Sequence, residues 1–310
     1  MNNFFLFAAI LLISSCNTEV VKDLSAKAVP VTYSNSQQFE DYWFGGEAEL
    51  TSYHLEQARY GEIHSGEAVL IFVTEPFSKS KLVKMDNPQR DHRDKVNVLK
   101  LNMTKKFYTG LYPYSMMMST FSPIEFESSV NALKVSTSSQ EWCGHTFTQY
   151  NSKGTGYEVL QYSYFEAEGD KKYKIADVIL EDELWSQIRL NPSKLPTGNI
   201  SILPGSMTTR LQHSKVEPMM ALATLEDIGK SGISKYSLDF EDGRKLAINF
   251  SSNFPFTIES WQETLRSGYG SGTKTLTTIG TLKKRTKLDY WTKNAVSDSK
   301  YRSLLDMSGQ

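Results

Sequence analysis

The sequence lacks most of the features that mark common classes of protein. It has two cysteines among 310 residues, and its formal net charge is −1. So small a net charge gives no electrostatic basis for binding nucleic acid. No apolar run approaches the roughly twenty residues that a spanning helix needs, which excludes a transmembrane helical bundle. Two cysteines cannot support a disulfide-rich scaffold, so the fold must depend on its hydrophobic core.

Motifs for catalysis and for metal binding are also missing. The five histidines form no H-x-x-x-H or H-E-x-x-H pair, so we expect no metal site. No G-x-S-x-G elbow is present, and no spacing of carboxylates marks an acid–base pair. Gly268–Thr275 resembles a phosphate-binding loop, but Thr273 occupies the second required glycine. The sequence therefore predicts no cofactor and no enzymatic activity.

The most informative segment of the chain is Met1–Cys16. Its apolar run, Phe4–Ile13, is ten residues long, which is typical of a signal peptide and too short for an anchor. The residues Ile13-Ser14-Ser15-Cys16 resemble the lipobox of bacterial lipoproteins, although no Lys or Arg precedes the apolar run. The resemblance implies that residues 1–15 are removed as a signal peptide and that Cys16 is lipidated.

The residues after Cys16 are expected to form a tether. Residues 16–37 are polar, contain Pro30 and show no sustained hydrophobic period, so we interpret them as a lipidated cysteine and an extended tether. Two or three acyl chains hold a protein firmly on a bilayer. The expected location is the cell envelope, at the outer membrane and facing the periplasm, with the membrane as a partner through the lipid on Cys16.

Strand signals dominate residues 38–310. Aromatic residues make up 12 % of the chain, and Val, Ile, Thr and Tyr recur in short runs between turn residues, as in β-rich proteins. The clearest hairpin is Tyr236–Phe250, in which two alternating runs flank Asp242-Gly243. We predict a mainly β fold, a curved antiparallel sheet or open β-barrel with a few short helices, similar in architecture to lipoprotein carriers. Two β-rich halves, about 38–179 and 195–292, are expected to continue one sheet.

Individual elements can be assigned from these patterns. Ile179–Ile188 has helical periodicity and should end before Pro192, while short helices are expected at Gln38–Phe44 and near Ser297–Leu305. Ile200–Leu211 is expected to be a crossover. Further strands are predicted at Glu47–Arg59, Glu67–Thr74, Val96–Tyr108, Tyr114–Phe121, Ala132–Ser138, Thr146–Tyr150, Tyr157–Glu168, Lys172–Ile179, Met219–Leu225, Thr257–Leu265 and Thr273–Leu288.

One segment is similar to a redox active site. Trp142-Cys143-Gly144-His145-Thr146 resembles the Trp-Cys-Gly-His-Cys motif of protein disulfide isomerases, but Thr146 replaces the second cysteine that this chemistry needs. Because its flanks have strand patterns, we expect Cys143 to be buried in a strand beside a packing Trp142. A thiol enzyme that uses Cys143 with His145 as base stays open as an alternative.

Several aromatic and methionine side chains are candidates for lining an apolar groove. Consecutive methionines in a strand point to opposite faces, so Met116-Met117-Met118 cannot chelate a metal together and is better interpreted as a flexible apolar lining. The candidate lining residues are Trp43, Phe44, Tyr112, Tyr114, Met116, Met118, Phe121 and Trp142.

The lipobox and three further stretches resemble an uncharacterised family of Gram-negative lipoproteins. The stretches are Asp41–Tyr53, Tyr112–Met118 and Ser138–His145. Some members of that family carry the name septum formation inhibitor Maf, which implies a nucleotide pyrophosphatase. This chain has no Ser/Arg-rich substrate loop after its first strand, so that activity is not expected.

Three hypotheses follow from the sequence. The first is a non-enzymatic, membrane-anchored envelope lipoprotein that binds a lipid or other hydrophobic ligand in an apolar groove. The second is a structural or assembly partner in an envelope protein complex. The third is the thiol enzyme that uses Cys143 and His145.

Overall fold

A computed structural model describes residues 36–89, 93–124, 131–227 and 232–307. Its main feature is one large, curved and unclosed antiparallel sheet with a few short helices, which confirms the predicted fold class. The two β-rich halves do continue one sheet. Cys16, the predicted signal peptide and most of the predicted tether lie outside the described residues.

The described chain forms sixteen strands. They are β1 (Ala48–Arg59), β2 (Glu62–Ser78), β3 (Val83–Lys84), β4 (Lys95–Thr109), β5 (Tyr112–Pro123), β6 (Lys134–Glu141), β7 (Gly144–Ser152), β8 (Gly156–Ser163), β9 (Lys171–Ala176), β10 (Ile179–Leu180), β11 (Gly198–Leu203), β12 (Met219–Asp227), β13 (Ile233–Phe240), β14 (Lys245–Ser251), β15 (Ile258–Ser267) and β16 (Lys274–Leu288).

Most predicted strands are present, and three assignments need correction. The strand predicted over Tyr157–Glu168 ends at Ser163, because the residues that follow turn the chain toward Gly169. The strand predicted over Lys172–Ile179 is broken into β9 and β10. The expected crossover at Ile200–Leu211 begins inside β11 and continues into a helix.

The helices are short. They are α1 (Gln37–Trp43), α2 (Glu181–Leu190) and α3 (Ser206–Gln212), with 3-10 helices at Pro192–Lys194, Gly270–Gly272, Tyr290–Thr292 and Val296–Leu305. The predicted helices near residues 38–44 and 179–188 are thereby confirmed, and α2 ends at Leu190, before Pro192. The helix expected near the C-terminus is a 3-10 helix.

Strand order explains the curvature of the sheet. Neighbours pair in the order β10-β11-β12-β13-β14-β15-β16-β1-β2-β4-β5-β6-β7-β8-β9, with β3 paired to β2. The two edge strands, β9 and β10, are separated by only Asp177 and Val178. Since consecutive Cα atoms are about 3.8 Å apart, three such steps hold Ala176 and Ile179 within about 11 Å. The sheet must therefore curve until its opposite edges meet at this point.

The concave face of the sheet is filled by α2. All ten residues of this helix are buried, and Leu180, Leu184 and Ile188 belong to the main hydrophobic core. Trp185 meets Trp261 of β15 edge to face, with ring centroids 5.5 Å apart. The Trp261 ring in turn lies across Gly280, where a side-chain carbon would come within 2.3 Å of the ring. A glycine in β16 thus makes room for the aromatic packing around α2.

Two arginine–glutamate pairs fix the ends of α2 to the sheet. At its C-terminal end, Arg189 makes two parallel bonds to Glu49 of β1, at 2.5 and 2.6 Å. At its first turn, Glu181 accepts two bonds of 2.6 Å from Arg244, which also bonds Glu263 of β15. All five side chains are buried. Bidentate geometry of this kind offsets the cost of taking the charges out of water.

The convex face has smaller clusters of its own. The C-terminal 3-10 helix brings Leu305 against Ala48, Leu50 and Val73. Ser52 donates a 2.6 Å hydrogen bond to the carbonyl of Leu305, which fixes this segment to β1. The C-terminal residues therefore cover part of the outer face of the sheet.

We expect Glu49→Gln to destabilise the fold by about 3–5 kcal/mol, because it leaves Arg189 as a buried charge without its partner. The measurement is the free energy of unfolding from urea titration. The control is Asp239→Asn, which breaks the exposed pair of Asp239 with Lys245, joined at 2.8 Å; it should cost less than about 1 kcal/mol. Similar losses in the two variants would contradict the role given to the buried pair.

Two further carboxyl groups at the start of α2 are buried beside each other. Burial, together with the charge of Glu181, raises the pKa of Asp182 to about 7. Burial likewise raises the pKa of Glu183 to about 8, although its carboxylate accepts backbone N–H bonds from Leu180 and Ala132. In the unfolded chain both groups titrate near pH 4.

These shifts predict that Asp182 and Glu183 make the fold less stable as pH rises from about 4 to about 8. Across that window the folded state keeps protons that the unfolded chain has released, so unfolding becomes more favourable as pH increases. Urea midpoints at pH 5, 6, 7 and 8 would measure the slope. The double variant Asp182→Asn, Glu183→Gln should flatten it, while Glu62→Gln, an exposed control, should leave it unchanged. An unaltered slope in the double variant would refute this assignment.

Candidate functional site

The residues that were predicted to line one apolar groove lie at several different places in the structure. Trp43, Tyr114, Met116 and Met118 are buried in the main core. Met117 points to the opposite face and is exposed, which confirms the predicted alternation. Phe44 is exposed beside α1, and Phe121 packs on the convex face against Phe77. Tyr112 and Trp142 lie together at one end of the sheet, with ring centroids 6.3 Å apart.

One small cavity lies in the interior beside α2. A cavity of about 30 Å³ is lined by Lys105, Asp182, Glu263 and Met118, among others. This volume holds one or two water molecules. Burial lowers the pKa of Lys105, which faces the same cavity. The cluster is an ionic contact between α2 and the sheet, and the cavity beside it is too small to hold an acyl chain.

The structure corrects the prediction for Cys143. The thiol is exposed, because residues 142 and 143 form the turn between β6 and β7 instead of continuing a strand. Trp142 is 67 % exposed and does not pack over the thiol as a core residue. Hydrogen bonding to Glu141, and the charge of that carboxylate, raise the pKa of Cys143. This environment opposes thiolate formation, on which thiol catalysis depends.

Aromatic rings gather where several hairpin turns meet. The turns β1–β2, β4–β5, β6–β7 and β15–β16 lie at one end of the sheet, because antiparallel pairing brings alternate turns together. We call this end the aromatic end and define it by Tyr60, Tyr112, Trp142 and Tyr269. Tyr60 and Tyr269 approach with ring centroids 6.1 Å apart. Trp142 and Tyr269 are about two-thirds exposed, so the rings face outward.

Arg59 lies beneath these rings, at the end of β1. Its side chain is 6 % exposed, and its guanidinium carbon lies 4.2 Å from the centroid of the Tyr60 ring. One nitrogen donates to the carbonyl of Leu211. Another donates to the hydroxyls of Tyr60 and Tyr114, at 3.2 and 3.3 Å. The hydroxyl of Tyr112 donates to that of Tyr60 at 3.2 Å, so three phenols surround the guanidinium.

A second polar group adjoins Arg59 through α3. His213 ends this helix in the left-handed region at φ +51° and places its Nε2 atom 3.5 Å from Arg59. Its Nδ1 atom is 2.8 Å from Glu168, which also accepts from Arg210 at 2.7 Å. Burial and the charge of Arg210 lower the pKa of His213. A neutral imidazole fits this setting, with Nδ1–H donating to Glu168 and Nε2 accepting from Arg59.

A larger cavity opens beside this group. Its volume is about 310 Å³, and it lies between the β8–β9 hairpin and the loop that follows α3. The lining includes Gln161, Glu168, Tyr173, His213 and Val216. The edge strand β9 forms one wall, so the cavity lies along the unclosed seam of the sheet. Its lining is mixed in polarity and continues toward the aromatic end through His213.

Sequence reasoning missed Arg59, Tyr60, Glu168, Arg210 and His213. A single arginine at the end of a strand has no local signature, since its partners Tyr114 and Leu211 are 55 and 152 residues away. The only local signal is the spacing of Arg210 and His213, three residues apart near the end of a helix. That pattern alone does not indicate the contact of either residue with Glu168.

Comparisons with known proteins assign neither a family nor a function to this chain. In the described ranges, no helix is long and apolar enough to cross a membrane, and no group of three or more His, Cys, Asp or Glu residues could hold a metal ion. The chain matches no protein-family model, no curated protein and no solved structure.

Proposed function

We propose that this protein is a membrane-anchored envelope lipoprotein, held by lipid on Cys16 at the outer membrane and facing the periplasm. In this proposal it binds a lipid or another hydrophobic ligand without catalysing a reaction. The observation that carries the binding role is the aromatic end, where Tyr60, Tyr112, Trp142 and Tyr269 present partly exposed rings around a polar centre. Exposed, clustered aromatic side chains are typical of binding sites.

The filled interior supports the aromatic end as the binding site. α2 occupies the concave face, and the cavity beside it that Lys105 and Glu263 line measures about 30 Å³, so the aromatic end and the adjoining 310 Å³ cavity offer a ligand more room. The proposed binding site therefore leaves out Trp43, Met116 and Met118 of the predicted groove lining. It still includes Tyr112 and Trp142.

The position of α1 fits anchoring by the N-terminal segment. Ser36 caps α1, which packs where β1 begins, through Tyr42 bonded to Glu49. The aromatic end lies where β1 ends, and the eleven steps from Ala48 to Arg59, at about 3.3 Å each, separate the two by about 36 Å. A chain that enters through α1 from a membrane anchor would leave the aromatic end accessible.

Replacing Cys16 tests the anchor. We expect Cys16→Ala to abolish partition of the protein into a detergent phase and to remove the acyl mass seen by mass spectrometry of the wild type. The control is Cys143→Ala, which changes the other cysteine and should partition as the wild type does. A Cys16→Ala protein that keeps the wild-type mass and partition would contradict lipidation at this site.

Ligand binding can be tested with a fluorescent fatty acid and the full chain carrying Cys16→Ala. We expect Trp142→Ala and Tyr112→Ala each to weaken binding roughly tenfold, since removing a ring that a ligand covers costs about 1.5 kcal/mol. Trp291→Ala is the matched control, because Trp291 is also exposed but lies in a 3-10 helix away from the aromatic end.

Two results of this binding experiment would contradict parts of the proposal. Equal loss in the control and in the two test variants would remove the aromatic end from the proposal. A wild-type chain without measurable affinity would reject the binding role itself. In that case, in-cell cross-linking that repeatedly captures one envelope protein through Trp142 would favour the alternative role as an assembly partner.

A further inference from the structure

We propose that the aromatic end contains an anion-binding site centred on Arg59, which takes the carboxylate or phosphate group of an amphiphilic ligand. The amphiphilic part of this inference rests on the proposed function, while the anion site stands on the geometry of Arg59 alone.

Arg59 is a buried cation for which the described part of the chain provides no carboxylate. Its partners are the carbonyl of Leu211, the hydroxyls of Tyr60 and Tyr114, and one nitrogen of His213. Its Nε–H group is buried and has no acceptor among the described residues. A buried charge normally has a counter-ion, and a buried donor normally has an acceptor. Both requirements are unmet at Arg59.

The acidic groups nearby are occupied elsewhere. Glu168 accepts from Arg210, Ser163 and His213. Glu141 accepts from the backbone N–H of Cys143 at 2.6 Å. Glu62, opposite Arg59 in the β1–β2 hairpin, is exposed and forms no ion pair with it in the described structure. None of these three carboxylates bonds Arg59, so the guanidinium has no direct counter-ion among the described residues.

The phenols around Arg59 also leave a donor unused. Three hydroxyl protons belong to Tyr60, Tyr112 and Tyr114, and these hydroxyls make two contacts with one another, at 3.2 and 2.7 Å. Each contact uses one proton, so one phenolic O–H has no acceptor among the described residues. Arg59 and this hydroxyl together provide donors and positive charge, which is the chemistry that recognises carboxylate or phosphate.

Access to Arg59 depends on Tyr60. This side chain covers the guanidinium and is itself 36 % exposed, in the two-residue turn that follows β1. Rotation of its ring would open Arg59 to the surface between Tyr112 and Tyr269. An anion there would touch the guanidinium and the hydroxyls, while an attached acyl chain could lie on the exposed ring of Trp142.

The test uses the full chain carrying Cys16→Ala and calorimetric titration with four probes. Dodecanoate and dodecyl phosphate carry the anion on a chain, dodecanol carries the chain alone, and inorganic phosphate carries the anion alone. We expect the two anionic amphiphiles to bind at least tenfold more tightly than dodecanol, with an affinity that falls as salt concentration rises.

Variants distinguish recognition of the anionic group from binding of the probe's alkyl chain. Arg59→Met should weaken both anionic amphiphiles at least tenfold and leave dodecanol within twofold of its wild-type affinity. Tyr60→Phe keeps the ring and removes one hydroxyl, so a smaller loss limited to the anionic probes is expected, even if Arg59→Met should fail to fold. Arg266→Met, which removes an exposed arginine of β15, is the charge control and should change nothing.

Each pattern of results decides between the two proposals. Binding of inorganic phosphate that depends on Arg59, without binding of any amphiphile, would keep the anion site and reject the hydrophobic ligand. Equal binding of dodecanol and dodecanoate, unaffected by Arg59→Met and Tyr60→Phe, would reject the anion site and keep the hydrophobic ligand. No binding of any of the four probes would reject both.

Discussion

The fold depends on burying a charged helix inside a curved sheet. The first three residues of α2 are all acidic, and Arg189 lies near its other end, yet the whole helix is buried. Glu181 and Arg189 have charged partners that come from the sheet and its turns. Glu49 in β1 pairs with Arg189, while Arg244, the residue before β14, joins Glu181 to Glu263. Because these partners come from distant strands, the pairs also fix how far the sheet curves around the helix.

Filling the concave face favours the aromatic end as the proposed binding site. A curved antiparallel sheet could have left an apolar groove along its inner surface, but Leu184, Trp185 and Ile188 of α2 occupy that surface. The unpartnered polar groups and exposed rings lie instead at the aromatic end, where α3 and four hairpin turns meet. The unclosed seam adds a cavity beside it, because β9 has no neighbour on its outer edge among the described strands.

The sequence predicted what depends on local pattern. The Tyr236–Phe250 hairpin follows from alternation around Asp242-Gly243, and α2 follows from helical periodicity ended before Pro192. Nothing in the local sequence indicates that the acids at the start of α2 are buried, since the partner of Glu181 is Arg244, 63 residues away. The prediction for Cys143 was wrong because a turn of two residues, with neither Pro nor Asp-Gly, interrupts the strand pattern without a local signal.

Three buried arginines, Arg59, Arg189 and Arg244, differ in the groups that accept hydrogen bonds from their guanidinium groups. Arg189 and Arg244 each bind a carboxylate through two bonds, and both bind within the core. Arg59 is buried to a similar degree, but tyrosine hydroxyls and a carbonyl stand where the other two have glutamates. A neutral cage stabilises the cation less than a carboxylate does, so this arrangement weakens the isolated fold. Such a cost is typical of functional sites, and Arg59 lies beneath the exposed rings of the aromatic end.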